Sequence, residues 1–273
     1  MFDLLEKIQL AHAYLAARTQ IKPEWGIILG TGLGSLVQAM KVETEIDYDQ
    51  IPHFVQSTVD SHKSKLIFGE LSGKSVMVMQ GRFHYYEGYS MDEISFPVRV
   101  MKSMGIHSLI VSNIAGGLNP QYQIGDFVAI TDHINLLGTN PLIGKNYEAL
   151  GPRFPDMIEP YTKKYVQLLS KLAMQQEVTL QKGIYACMSG PCLETAAEYR
   201  MLRLIGSDLI GMSTVPEVIT AVHAGLKVLG VSLVSDLCLP DNLQPLHIAE
   251  LLAVAAAAEP KLTRLVQAFL AEV

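Results

Sequence analysis

Cysteine is scarce in this 273-residue chain: Cys187, Cys192 and Cys238 are all it has. None belongs to a Cys-x-x-Cys pair and one is left over from any pairing. That excludes a disulfide scaffold or zinc ribbon and predicts a reduced, cytoplasmic setting with structural thiols. Positive charge is also thin, with 21 Lys and Arg against 27 Asp and Glu, a net charge of −6 and a pI of about 5.7. A duplex nucleic-acid binder would carry a basic stripe, and none is present. No apolar run nears the length of a membrane span, and Met1–Lys7 lacks the apolar centre of a signal peptide, so no membrane partner is expected. Several catalytic signatures are missing as well. There is no Gly-x-Ser-x-Gly elbow, no Gly-Lys-Ser/Thr closing a glycine loop, and no His-x-x-x-His, Cys/His cluster or paired-acid spacing that would call for a metal. Internal repeats and low-complexity linkers are absent too.

Apolar residues are plentiful. At 49% hydrophobic content and a mean hydropathy of +0.24, the composition suits strands buried on both faces. Leu4, Ile8, Ala11 and Leu15 fall at helical spacing, with Pro23 as the stop. Trp25–Leu29 reads as a strand, and Lys65–Leu71 and Lys74–Gln80 as a hairpin about Ser72-Gly73. Ser90 to Glu93 matches a capping box opening a helix to about Met104. Runs at Ser108–Asn113, Gly125–His133, Leu180–Met188, Asp208–Met212 and Val228–Ser235 read as further strands, and helical faces follow at Tyr165–Leu172, Thr195–Ile205 and Leu262–Phe269. Repeated strand–helix alternation without a composition break predicts a single α/β domain over 1–273, with a mixed, largely parallel sheet flanked by helices. Residues 135–159 lack periodicity, and an irregular loop of that length is normally functional or disordered.

Chemistry concentrates at the strand ends. The segment Gly81-Arg82-Phe83-His84-Tyr85-Tyr86-Glu87-Gly88-Tyr89 follows an apolar run and packs a guanidinium, an imidazole and three phenols into a few residues. An open α/β sheet binds its ligand at such a place, and a guanidinium fork suits phosphate or carboxylate. Gly30-Thr31-Gly32-Leu33-Gly34-Ser35 follows a strand and precedes a helical segment, so it can aim N–H groups at an anion. A tight turn explains it equally well, and as a dinucleotide fingerprint it is imperfect, with Ser35 at the third glycine position. Asn113 to Gly117 turns from β-type residues to small ones, where a flat ligand can lie on backbone atoms. Glu194, Ser213 and Asp236 complete the set of strand-end groups. One subset suits an oxyanion, the other a flat polar heterocycle. An anion pocket without a nucleophile or metal implies that the anion is itself a substrate.

Five stretches together resemble the trimeric class of purine nucleoside phosphorylases: Gly81–Tyr89, Asn113–Leu118, Asp132–Asn135, Gly190–Thr195 and Gly211–Glu217. The resemblance runs from about residue 25 to the C-terminus. It implies a nucleoside phosphorylase-like fold and reversible phosphorolysis of purine (2′-deoxy)ribonucleosides, with phosphate as co-substrate and no cofactor. It also implies a phosphate pocket of Thr31, His62, Arg82, His84, the backbone at Ile114, and Ser213. Tyr86 and Met212 would hold the ribose, His247 its 5′-hydroxyl, and Ala115 and Gly116 the purine face. Glu194 and Asp236 would hold the base edge and, with His84, carry the catalysis. Phe154 would complete a neighbouring subunit's site in a homotrimer. Three positions depart from the family pattern: Leu193 replaces a phenylalanine, Ile114 an alanine and Asp236 an asparagine. An asparagine both donates and accepts, whereas an ionised aspartate only accepts, which suits a 6-amino group and opposes a 6-oxo oxygen; a protonated aspartate could do either job, and burial beside Glu194 favours that form. Some 6-aminopurine tolerance is therefore expected beside 6-oxopurine activity. The alternatives are a 5′-methylthioadenosine phosphorylase, a nicotinamide-dependent oxidoreductase using Gly30–Gly34, and a nucleoside-binding module without turnover.

Overall fold

Apolar runs with strand propensity, separated by amphipathic segments, build a sheet sandwiched between helices. The computed structural model describes residues 2–31, 34–59 and 62–273; Gly32 and Leu33 of the glycine loop, and Ser61 beside His62, lie outside the described residues. The strands are β1 (Trp25–Leu29), β2 (Lys41–Asp47), β3 (Lys65–Leu71), β4 (Lys74–Gln80), β5 (Ser108–Gly117), β6 (Phe127–Asn135), β7 (Leu180–Cys187), β8 (Leu209–Gly211) and β9 (Lys227–Leu237). The helices are α1 (Leu4–Ala16), α2 (Met91–Ser103), α3 (Lys163–Gln175), α4 (Ala196–Leu204), α5 (Val215–His223) and α6 (Ile248–Glu272). Sheet order is β2-β3-β4-β1-β5-β8-β7-β6-β9, with β9 pairing back onto β5. Half of the sheet thus closes on itself, where the sequence reading had an open sheet. The hairpin β3–β4 pairs antiparallel as expected, and β4, β1, β5 and β9 run parallel to their neighbours in that series.

Successive residues of a strand face opposite sides. Ile28, Met79 and Val111 accordingly join the core under α1, α2 and α5. Ile27, Val78 and Ile110 join the core under α3 and α6, with Leu169, Leu265 and Phe269. Burial on both faces explains why these strands read as continuous apolar runs. The capping box at Ser90 forms as read, and a second, at Asp3 and Glu6, starts α1. One expectation is corrected: α1 ends at Ala16, well before Pro23. Residues 135–159 carry only a short turn of helix, Glu148–Leu150, after β6 ends. Strand β2 escaped notice because its residues are mostly exposed and polar, leaving no apolar alternation to read.

The parallel register sets Leu29 beside Gln80 and Ile28 beside Val111, so the loops after β4, β1 and β5 open side by side. Gly81 makes the turn out of β4 at φ +114°, and a Cβ there would also strike the His62 side chain. Glycine satisfies both demands. Between β5 and β9 the register slips, with Ala115 opposite Val234 and Gly116 opposite Asp236, which leaves Ser235 as a bulge. A bulge bends the strand and re-aims its side chains.

Candidate active site

These strand ends and the first turn of α6 enclose a cleft of about 610 Å³. Thr31, Arg82, His84, Tyr86, Ile114, Ala115, Gly116, Leu193, Glu194, Met212, Ser213 and Asp236, all expected from the sequence, line it together. His62 stands just behind the wall, 3.4 Å from Thr31 Oγ1 and stacked on the His84 ring at 5.4 Å. Two expected residues are elsewhere. Phe154 projects from the 135–159 loop with 88% of its surface exposed. His247 is exposed at the start of α6, while its neighbours Leu246 and Ile248 line the cleft.

At one end, Arg82 is buried at 1% exposure. Its Nε donates to Glu217 Oε1 at 2.8 Å, and its Nη1 donates to the Ser112 carbonyl at 2.6 Å and to Ser213 Oγ at 3.4 Å. Nη2 has no protein acceptor among the described residues. A buried donor without an acceptor costs free energy, and a guanidinium nitrogen in that state is suited to donate to an anion. Glu217 locks the fork from behind.

The imidazole of His84 is fixed by Glu87, whose Oε1 accepts from the His84 backbone N–H at 2.8 Å and lies 2.9 Å from its Nδ1. A hydrogen held at Nδ1 leaves Nε2 as the free ring nitrogen. Tyr86 stacks on the other face of His84 at 4.7 Å, completing a three-ring pile with His62. Burial, together with the nearby His84 and Arg82, lowers the His62 pKa to about 4, so that ring is neutral at physiological pH. Ser213 is held by Tyr185 and Cys187 and stands two residues before the start of α5. Thr214, at φ 72°, accepts from Asn113 Nδ2 at 2.8 Å instead of capping the helix. A non-glycine residue in that region stores strain, a feature concentrated at functional sites.

At the other end, Ala115 and Gly116 form a flat floor beside Glu194, Asp236, Tyr199 and Cys238. Burial raises the Glu194 pKa above its ordinary value. The sequence reading missed Glu87, Glu217, Tyr199 and Cys238. The first two stood inside motifs already singled out. Tyr199 and Cys238 had no local signal. Among the described residues, no group of three His, Cys, Asp or Glu is placed to hold a metal ion, and no helix is long and apolar enough to cross a membrane.

Glu87 supplies a pH prediction. Burial alone would raise its carboxyl, but the hydrogen bonds from His84 and Thr58 outweigh that and hold it at about 2. Its contribution to stability is therefore complete above about pH 4.5 and fades as pH falls toward about 2. Between about pH 5 and about pH 3, the melting temperature of the native protein should fall further than that of Glu87→Gln. Equal falls in thermal melts would show that Glu87 carries no such load.

The Phosphorylase superfamily model matches residues 24–271. Purine nucleoside phosphorylase 1 of Bacillus subtilis is 46% identical over 98% of this chain and 98% of its own length. The Mus musculus purine nucleoside phosphorylase is 43% identical over 96% of this chain and 93% of its own length. Among solved structures, Schistosoma mansoni purine nucleoside phosphorylase in complex with inosine superposes with a TM-score of 0.94 at 41% identity, covering 98% of this chain and 97% of that one. The same organism's enzyme in complex with adenosine gives 0.91 at 42% identity, covering 97% and 96%.

Proposed function

The chain belongs to the purine nucleoside phosphorylases of the phosphorylase superfamily, and from that premise we infer how its cleft carries out phosphorolysis. The enzyme converts a purine nucleoside and inorganic phosphate reversibly into free base and ribose 1-phosphate. The observation carrying the residue assignment is the joining, in one cleft, of an anion cradle at Arg82, His84, Thr31 and Ser213 to a flat floor at Ala115 and Gly116.

Phosphate sits in the cradle, donated to by Arg82 Nη2, Ser213, Thr31 and the Ile114 backbone, with His84 at its side and His62 supporting Thr31. Ribose lies between Tyr86 and Met212, with its 5′-hydroxyl toward His247. The purine rests on Ala115 and Gly116 beside Leu193, its edge toward Glu194 and Asp236. As the bond from C1′ to N9 stretches, positive charge grows on the ribose and negative charge on the purine. A phosphate oxygen held beneath C1′ stabilises that cation and captures it. The purine departs with the N9 electron pair, and the proton of the monohydrogen phosphate ends on the released base. No covalent enzyme intermediate is required, and no cofactor enters.

The chain acts as one nucleoside phosphorylase domain, in a cytoplasmic homotrimer where the exposed Phe154 closes the neighbouring cleft. The 135–159 loop is then an interface element, which accounts for an aromatic ring projecting into open space. Asp236 gives the enzyme some activity on 6-aminopurines besides 6-oxopurines. The relatives compared above are purine nucleoside phosphorylases, so the 5′-methylthioadenosine and nicotinamide readings are set aside.

Incubation with inosine, guanosine or adenosine, with and without phosphate, tests the reaction, and light scattering tests the assembly. Base release that requires phosphate and no added cofactor, by a species of three 30.0 kDa chains, is expected. Base release independent of phosphate would remove the assignment of the cradle, and full turnover by a monomer would remove the role of Phe154.

A further inference from the structure

The base end of the cleft holds side chains that the scheme above leaves without a task. Ser235, Asp236 and Cys238 all line it, although adjacent residues of a regular strand face opposite ways. The bulge at Ser235 removes that alternation. The Ser235 hydroxyl then shares its hydrogen between Asp236 Oδ1 at 2.7 Å and the Ala115 carbonyl at 3.2 Å, and the Cys238 thiol donates to Oδ2 at 3.2 Å. Cys238 is 3% exposed, and a Cβ on Gly116 would collide with its sulfur, so the floor of the cleft is cut to fit it. Burial holds the thiol of Cys238 and the phenol of Tyr199 far above neutral pH, so both keep their hydrogens. The Tyr199 hydroxyl faces both Cys238 and Glu194. Asp236, which lines the cleft, is thus met by a donor at each oxygen.

We propose that Cys238 is a specificity-determining residue, whose thiol, together with Ser235, makes Asp236 an acceptor-only carboxylate, so that the cleft takes 6-aminopurine nucleosides with the required proton carried on Glu194. The inference rests on the purine nucleoside phosphorylase reading. Adenine presents an amino group, which donates to Asp236, and an N1 lone pair, which needs a donor. Protonated Glu194 is that donor. Hypoxanthine presents an oxygen, which a carboxylate at 236 repels, and an N1–H, which ionised Glu194 accepts. The two substrate classes therefore require opposite protonation of Glu194. Glu198 and Tyr199 on α4, and Asp236 and Cys238 at the end of β9, are the titratable groups facing Glu194. Of these, Tyr199 and Cys238 stay protonated near neutrality. Acidification then favours adenosine over inosine as Glu194, raised by burial, takes up its proton.

The experiment measures kcat/KM for adenosine and for inosine across pH in the native enzyme and in Cys238→Val, Cys238→Ser and Glu194→Gln. Cys238→Val frees Oδ2 to take a proton and offer it to a 6-oxo oxygen, and should lower the adenosine-to-inosine ratio by about 10-fold, the scale of one hydrogen bond to a charged group. Cys238→Ser keeps a donor and should hold the native ratio within about twofold. The native ratio should rise on acidification, and that rise should vanish in Glu194→Gln. A purely structural role at 238 would depress both substrates together. An unchanged ratio in Cys238→Val, or a native ratio flat with pH, overturns the inference while leaving phosphate-dependent cleavage intact. Failure to cleave either nucleoside with phosphate would instead sink the functional reading itself. If Cys238→Val does not fold, Cys238→Ser and the native pH profile decide.

Discussion

Arg82→Lys is expected to cut phosphate-dependent turnover by about 100- to 1,000-fold, the scale of losing one donor in a preorganised oxyanion pocket, while the protein remains folded. The guanidinium is committed at two of its nitrogens: Nε pairs with Glu217 and Nη1 ties the Ser112 carbonyl and Ser213, while Nη2 has no protein acceptor among the described residues. An ammonium keeps the charge but is a single point without a fork. Paired with Glu217 it withdraws from the cleft, and turned to the cleft it abandons a buried carboxylate. The loss should appear mainly in kcat/KM for phosphate, with thermal melts close to native. Near-native kinetics in Arg82→Lys would mean that the fork has no part in holding the anion.

Glu217→Ala should produce the largest loss of stability. Its salt bridge to Arg82 is 2.8 Å long with both side chains almost wholly buried. A pair of this kind adds little net stability when formed, because both ions are desolvated. Removing one member, however, leaves the other charge buried without compensation, at about 3–5 kcal/mol. In a chain of this size that corresponds to a drop in melting temperature on the order of 10 °C. Glu217→Gln retains an oxygen acceptor for Nε and should lose less. Saturating phosphate should recover part of the stability of the alanine variant, since an anion in the cradle compensates the orphaned guanidinium. An alanine variant that melts with the native protein would contradict the view that Glu217 locks the fork.

The sequence disclosed what is local. Arg82, His84 and Tyr86 were visible because they crowd together after an apolar strand, and in the fold they do line one wall. Asn113 to Gly117 was visible as a change from branched to small residues, and the register against β9 slips there, with the extra residue on β9 at Ser235. What required long-range pairing stayed hidden. No periodicity within β5 or β9 announces that β9 returns to β5, so the closure of half the sheet could not be read. Glu217 looked like an ordinary acid at a helix start, and only the approach of α5 to the end of β4 makes it the partner of Arg82. Cys238 and Tyr199 lie 39 positions apart, an interval fixed by the packing of α4 against the end of β9 and by nothing in the adjacent residues. His62 and Phe154 were singled out through resemblance alone, since an isolated loop histidine and an exposed aromatic carry no signal of their own.

The central claim is that inorganic phosphate in the Arg82 cradle attacks C1′, and oxygen labelling tests it most directly. Inosine is turned over with phosphate bearing heavy oxygen at every position, and the sugar product is weighed by mass spectrometry. The account predicts ribose 1-phosphate that retains every labelled oxygen, including the one bridging to C1′, in equal amount to the released base. Free ribose carrying a solvent oxygen, formed at the same rate whether or not phosphate is present, would contradict it.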